Sequence, residues 1–566
     1  MSEFGLSKNL IIKYLPKPEY RKNPHYRNAA PMKIWTQSQI ETALRNPELK
    51  EALKKSRRRK AKQKIKELGI DSYLMSFDIS SLQERARSLD RHFVLHIGPT
   101  NSGKTHDALQ ALKNVESGLY LGPLRLLALE MFDRMNLDGC PCSLLTGEEY
   151  IETPGALHTS STIELCDYDS SYDIAVIDEA QMIADRFRGD RWAKAIYCVD
   201  AREVHICLAP EAETIITEII SSFGSGFEIV RHERLAPLRY SGVMKNIRQA
   251  QPGDALIVFS RKAVLSVSAE LEHSGIKTSV IYGALPPSSR REEVRRFSEH
   301  ETSVVVATDA IGMGVSLPIK RVVFCETRKF DGKSTRSLRS GEVKQIAGRA
   351  GRFGIYDIGE VLTMSDEKLV SGGLVCDEKQ LSVLTLPFPE ESLSSSYSIP
   401  DLLSAWDRLP PVPGFARASM EEALALHGYL KPIAKKMDKS MVYSLITCPL
   451  DVKDMRLVGY WQSCCFAIYN NTVLPEPYAG TGTLEDCETR YKQLDIRHQL
   501  LRRIGVEEDR MDEKLELGRL INEYLAKSKD QYLKHCTRCG KILPSTSPYG
   551  MCNKCYEKYL SYNLPF

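Results

Sequence analysis

The chain has 566 residues, 77 basic and 73 acidic side chains for a formal net charge of +4, and 42% hydrophobic residues. This length exceeds what one core fills and points to roughly three to five domains of ordinary globular composition. No apolar run approaches the ~18 residues that cross a bilayer, which excludes a membrane-spanning protein, and the balanced charge leaves partners open.

Residues 1–90 are Lys-rich, with apolar residues at helical spacing (Ile40, Leu44, Leu49, Leu53), and are expected to form a helical, basic N-terminal region. The basic run 54–66 suits either a nucleic-acid contact or a solvated helix face. The first residues carry no secretory apolar core and do not support a mitochondrial presequence. A bacterial cytoplasm is therefore the expected location, with the mitochondrial matrix as the alternative. Fifteen cysteines, mostly scattered in apolar runs, fit reduced thiols of an intracellular protein.

From 91 to 235 short apolar runs at 94–97, 118–121, 174–177 and 204–208 alternate with helical stretches. Alternation of this kind predicts an α/β fold with a parallel sheet covered on both faces. The first run opens into Gly98, Pro99, Thr100, Asn101, Ser102, Gly103, Lys104 and Thr105, a G-x-x-x-x-G-K-[ST] phosphate loop followed by a helical pattern. Glycines let backbone N–H groups close around phosphate oxygens, and the helix start adds positive potential. Lys104 is expected to reach the β- and γ-phosphates of ATP and Thr105 to ligate magnesium. The run 174–177 ends in Asp178, Glu179, Ala180 and Gln181. Carboxylates at the carboxyl end of a buried strand lie where α/β sheets bind ligands. Asp178 is expected to hold magnesium and Glu179 to deprotonate the attacking water.

The pattern repeats from 236 to 385, with candidate strands at 255–259, 278–281, 303–308, 321–325 and 360–364 but no second phosphate loop. Here Gln345, Gly348, Arg349, Gly351 and Arg352 form Q-x-x-G-R-x-G-R. Arginines three apart share a helix face, and a second-domain arginine makes ATP hydrolysis depend on domain closure. Gln345 would help position water. The run ending at Thr308 leads to Asp309, Gly312 and Gly314, where Thr308 suits a nucleic-acid phosphate and the loop amides suit the backbone or ATP. Residues 386–530 are expected to be a helical domain, its first part, 386–420, being a Pro/Ser/Glu-rich boundary.

These four motifs resemble superfamily 2 nucleic-acid helicases of the DExH type. The strings 282–291, 329–332 and 342–354 resemble, more narrowly, the mitochondrial degradosome RNA helicases of the suppressor-of-var-three type and their bacterial relatives, through roughly residues 90–470. The resemblance implies two tandem RecA-like domains and an ATP-dependent helicase moving 3′ to 5′ on single-stranded RNA in RNA turnover. It implies a substrate with a single strand or 3′ overhang, and a ribonuclease partner. It also carries over Lys104, Thr105, Asp178, Glu179, Gln345, Arg349 and Arg352 as ATPase residues, and Pro123, Arg125, Thr146, Gly147, Thr159 and Thr308 as nucleic-acid contacts. The third motif departs from the usual Ser-Ala-Thr: Cys207, Leu208, Ala209, Pro210, Glu211 and Ala212 stand there. An ATP-gated RNA clamp that recruits a ribonuclease is therefore a competing reading, and a DNA helicase another.

In the last module, residues 531–566, Cys536-x-x-Cys539 and Cys552-x-x-Cys555 are separated by twelve residues. Two thiolate pairs suit a closed tetrahedral zinc site, with an iron–sulfur cluster as the alternative. So short a stretch needs the metal to fold.

Overall fold

The structure is a computed structural model. It describes residues 13, 15–21, 32–49, 51–52, 67, 69–76 and 91–563, apart from 148, 313–316, 333, 353, 378, 507, 528, 546 and 548. The basic run 54–66 and Gly314 lie outside the described residues. Two compact units are present, one from residues 1–77 and 391–409, the other from 78–390 and 410–566.

In the first unit, Thr36 accepts from the Gln39 N–H and the Gln39 side chain accepts from the Thr36 N–H, a reciprocal cap that starts the helix Gln37–Arg45. Two short strands, β1 (Glu19–Arg21) and β2 (Met32–Ile34), pair antiparallel beside it, an addition to the expected helices. The helix Ile399–Arg408 starts on a Ser398 cap, and its Arg408 pairs with Asp71 at 2.8 Å.

The second unit holds two sheets. The first runs β3 (His92–Ile97), β4 (Gly118–Gly122), β5 (Cys142–Leu145), β6 (Tyr150–Ile151), β7 (His158–Thr162), β8 (Tyr172–Ile177), β9 (Ala201–Leu208) and β10 (Phe227–Arg231). Their spatial order is β10-β3-β9-β8-β4-β7-β5-β6, and every pairing is parallel except β5 with β6. Strands β3, β4, β8 and β9 are almost wholly buried, the condition of a parallel sheet covered on both faces. The second sheet comprises β11 (Leu238–Val243), β12 (Asp254–Ile257), β13 (Thr278–Ile281), β14 (Val304–Ala307) and β15 (Arg321–Phe324). After a hairpin of β16 (Arg328–Phe330) and β17 (Thr335–Ser337), β18 (Gly359–Thr363) completes it. The order is β11-β18-β15-β12-β14-β13, all parallel. Two tandem RecA-like α/β domains are thus present.

At the start of the stretch read as a boundary, β19 (Leu384–Leu386) pairs with β20 (Phe415–Arg417) inside it. The helices that follow include Glu421–Ala434, Met455–Tyr469, Leu484–Arg503 and Met511–Ala526. The last two bury Leu484, Tyr491, Leu494, Leu517 and Ile521 in one core with Leu256 and Val280 of the second sheet and Tyr282 just past β13. The Tyr282 hydroxyl donates to Glu488 at 2.6 Å inside this contact. Among the described residues no helix is long and apolar enough to cross a membrane.

Asp254 is fully buried and takes both ends of the Arg321 guanidinium, at 2.6 and 2.5 Å, tying β12 to β15. Removing one member of such a pair strands a buried charge. Asp254→Ala is expected to destabilise the second sheet by about 3 kcal/mol, read as a lower denaturant midpoint.

Candidate active site

The phosphate loop leaves β3 at its carboxyl end and turns into the helix Lys104–Lys113. Two residues make the turn with positive φ, Asn101 at 64° and Gly103 at 86°. A side chain at Gly98 would meet the His232 carbonyl at 2.6 Å, so the loop's first residue has no room for a Cβ. Beneath the loop, His96 bonds His205 at 2.9 Å and His232 at 3.1 Å, and His205 bonds Glu203 at 2.6 Å. Burial is the main cause that brings His96 down to about 4, and it lowers His232 too. Lys104 is buried, its Nζ donating to the Pro99 carbonyl at 3.2 Å. The Ser102 hydroxyl is buried with no hydrogen-bond partner among the described residues. An orphaned hydroxyl and a buried ammonium in one glycine loop fit a phosphate group.

Asp178 stands at the end of β8 and is 2% exposed. It accepts from Thr105 Oγ1 at 3.2 Å, from the Tyr120 hydroxyl at 2.9 Å and from the Glu179 N–H at 2.8 Å. Burial, and then the neighbouring Glu179, push its carboxyl up to about 6. A carboxylate beside a hydroxyl in a buried cleft fits a divalent cation, whose charge would return it to the ionised form. Glu179 adopts a left-handed conformation with φ 51°. Gln181 donates to the Glu179 carboxylate and accepts from the Ala209 N–H at 3.1 Å. The stretch 207–212, which lacks the usual hydroxyls, is therefore joined to the Glu179 carboxylate through a side-chain amide and a backbone N–H.

In the second domain, the helix Ser340–Ala347 carries Gln345, whose side chain lies beside Gly312, and ends at Gly348. Arg349 donates to the Gly312 carbonyl at 2.6 Å from Nη2. Burial lowers its guanidinium, and the carboxylates of Glu179, Glu130 and Asp178 oppose that shift across the seam. Arg349 and Arg352 in turn oppose the rise that burial imposes on Glu130. The loop and the arginine motif touch directly: Asn101 Nδ2 donates to the Gly351 carbonyl at 2.7 Å. A Cβ at Gly348 would lie 2.8 Å from that of Thr100. Arg234, between β10 and β11, donates to the carbonyls of Thr100, Gly348 and Ala350. It belongs to no motif, and sequence reasoning missed it.

The residues expected to touch nucleic acid are not all brought together. Pro123 follows β4, and its carbonyl accepts from Arg188. Arg125 starts the helix Arg125–Leu137, lies against Gly147, and pairs with Asp495 of the helix Leu484–Arg503 at 3.4 Å. Lys514 pairs with the same Asp495 at 2.9 Å. Thr146 is buried and closes a turn by bonding the Glu149 backbone. Thr159 lies inside β7 opposite Leu119, three residues before the carboxyl end where the others gather. Thr308 follows β14, is buried, and caps the turn to Ala310.

The four sulfurs of Cys536, Cys539, Cys552 and Cys555 lie within 4.8 Å of one another. Cys539 and Cys552 are 3.8 Å apart, the edge of a tetrahedron of sulfurs about 2.3 Å from a common centre. The Cys552 and Arg538 backbone N–H groups bring the Cys536 thiol down to about 6. Hydrogen bonds with Cys539 and Cys552 push Cys555 up to about 12. Crowded thiols that cannot all ionise alone fit a cation among them.

Because the Tyr120 hydroxyl stabilises the ionised Asp178, Tyr120→Phe is expected to move the Asp178 titration above 6 by roughly one pH unit. A carboxyl-carbon NMR titration reads this, and an unmoved midpoint would contradict the hydrogen bond.

Comparison with known proteins agrees with this geometry. Residues 80–232 match the DEXQ-box helicase domain of Suv3, and residues 239–354 the helicase conserved C-terminal domain. The mitochondrial DExH-box ATP-dependent RNA helicase DExH18 of Arabidopsis thaliana is 38% identical over 435 residues, 74% of this chain and 55% of the relative. DExH16 of the same plant, also named mitochondrial, is 40% identical over 334 residues, 58% of this chain and 57% of the relative. The mitochondrial ATP-dependent RNA helicase SUV3 of Candida albicans is 43% identical over 274 residues, 47% and 38% of the two chains. The chain spans about half the length of the two plant relatives. Residues 80–232 thus carry a Suv3-type DEXQ-box helicase domain, followed by a helicase C-terminal domain.

Proposed function

We propose that this protein is an ATP-dependent RNA helicase that moves 3′ to 5′ on a single strand and opens duplexes with a 3′ overhang. The observation that carries the reading is the seam at which the phosphate loop of one domain meets the arginine motif of the other, Asn101 Nδ2 donating to the Gly351 carbonyl at 2.7 Å beside Arg349. In this reading Lys104, Ser102 and the loop amides bind the β- and γ-phosphates. Thr105 and Asp178 hold magnesium, which offsets phosphate charge. Glu179 takes the proton of the attacking water and Gln345 helps to position that water. Arg349 and Arg352 offset charge on the γ-phosphate, a contribution of ~10³–10⁵ in rate. Since these groups come from two domains, hydrolysis needs closure, and loss of the phosphate relaxes it into a step along the strand. Contacts at Pro123, Arg125, Thr146, Gly147, Thr159 and Thr308 are with the backbone and largely independent of sequence.

The names of the relatives support RNA as the substrate, and support a mitochondrial location over a bacterial cytoplasm. A role in RNA turnover, with a ribonuclease receiving the freed strand, rests on the resemblance alone. The clamp reading is favoured by the missing hydroxyls at 207–212. The Gln181 bridge to Ala209 supports the motor instead, because it gives hydrolysis a route into that stretch. In the terminal module the four cysteines hold zinc, which supplies the folding energy of the short segment.

Lys104→Ala is expected to lower RNA-stimulated ATP hydrolysis by at least ~10³-fold, and full activity would reject the reading. Glu179→Gln is expected to bind ATP and RNA but turn over ~10²–10⁴-fold more slowly. Strand displacement on a 3′-overhang duplex separates motor from clamp, and matched RNA and DNA oligonucleotides separate the substrates. Metal analysis is expected to find about one zinc per chain, lost in Cys536→Ser.

A further inference from the structure

We propose that Arg234 is a positioning residue for ATP hydrolysis, the brace that holds the arginine-bearing helix end of the second domain against the phosphate loop of the first. The inference rests on the ATPase reading above. Arg234 lies between β10 and β11, where the chain passes from one sheet to the other. Its Nε donates to the Ala236 carbonyl at 2.6 Å, which fixes the side chain against its own segment. Nη1 donates to the Thr100 carbonyl of the phosphate loop at 2.7 Å and to the Gly348 carbonyl at 3.0 Å. Nη2 donates to the Ala350 carbonyl at 2.5 Å.

Gly348 and Ala350 flank Arg349. The last carbonyls of a helix have no partner within it and carry its negative end, so a cation there is favoured. One planar fork takes the carbonyl of Gly348, the cap of the helix Ser340–Ala347, and that of Ala350 in the turn beyond it, and joins both to the loop that carries Lys104. The fit between the surfaces is close, because a Cβ at Gly348 would lie 2.8 Å from that of Thr100. Burial and then the neighbouring Arg349 bring Arg234 down to about 10, so it stays a cation at neutral pH. A lysine has a single nitrogen and cannot span the same carbonyls. Without the fork, Arg349 keeps its charge but loses its fixed height over the loop, and a displacement near 1 Å in such a group costs ~10²-fold in rate.

The test uses the full chain with RNA and ATP, wild type and Lys104→Ala run in parallel. Arg234→Ala is expected to lower kcat by ~10–100-fold while the Kd of a fluorescent ATP analogue changes less than about threefold. Guanidinium ion at low millimolar concentration is expected to restore part of kcat in Arg234→Ala and none in Lys104→Ala. Arg234→Lys is expected to fall between wild type and alanine. An unchanged kcat in Arg234→Ala overturns the inference and leaves the ATPase reading standing. So does a parallel loss of kcat and nucleotide affinity without guanidinium rescue. A wild type with no Lys104-dependent hydrolysis overturns the reading and the inference together.

Discussion

The carboxylates of Asp178 and Glu179 end a buried strand of one domain, and the guanidinium of Arg349 meets their field from the next. Neither side suits burial alone: the surroundings push Asp178 up toward neutrality and pull Arg349 down. Burying a charge is costly unless something answers it, and here the answer lies across a domain boundary. The parallel sheets follow from this constraint, because they bring strand ends and helix starts to one edge. Thr105 and Asp178 meet because their segments leave neighbouring parts of the first sheet at that edge.

Much of this was legible in the residues. The run 278–281 reads as a strand within the repeated α/β alternation, and β13 has those bounds. The phosphate loop, Asp178, Glu179 and the arginines are local patterns whose chemistry needs fixed spacing. Strand β7 was not legible: its sequence is His-Thr-Ser-Ser-Thr, and no apolar run marks it. Its burial is made tolerable by hydrogen bonds, such as that from Ser160 Oγ to the Ala128 carbonyl at 2.6 Å. Strand β11 alternates partly buried and exposed residues at a sheet edge and gave equally little signal. Arg234 could not be found by pattern at all, since its partners are carbonyls far off in the chain.

The C-terminal helices do more than follow the two sheets. Their apolar side chains complete the core on one face of the second sheet, so that domain is closed by residues more than two hundred positions away. Asp495 and Lys514 extend the same helices to Arg125 of the first domain. The cysteine module is fastened to the second domain as well, through the Ser545 N–H on Glu270 at 2.7 Å and, just before the module, Lys529 on Glu272 at 2.6 Å. Motion of the second domain therefore carries the module with it.

The imidazoles under the phosphate loop have a quieter effect. His96 loses its proton only near 4, and His232 is likewise biased toward the neutral ring. Near neutrality those two side chains lend the loop no electrostatic pull. Attraction of a polyphosphate then falls on an ammonium, on fixed backbone dipoles and on the guanidinium groups across the seam. The rings packed beneath the nucleotide seat thus hold it in place by shape and hydrogen bonding rather than by charge.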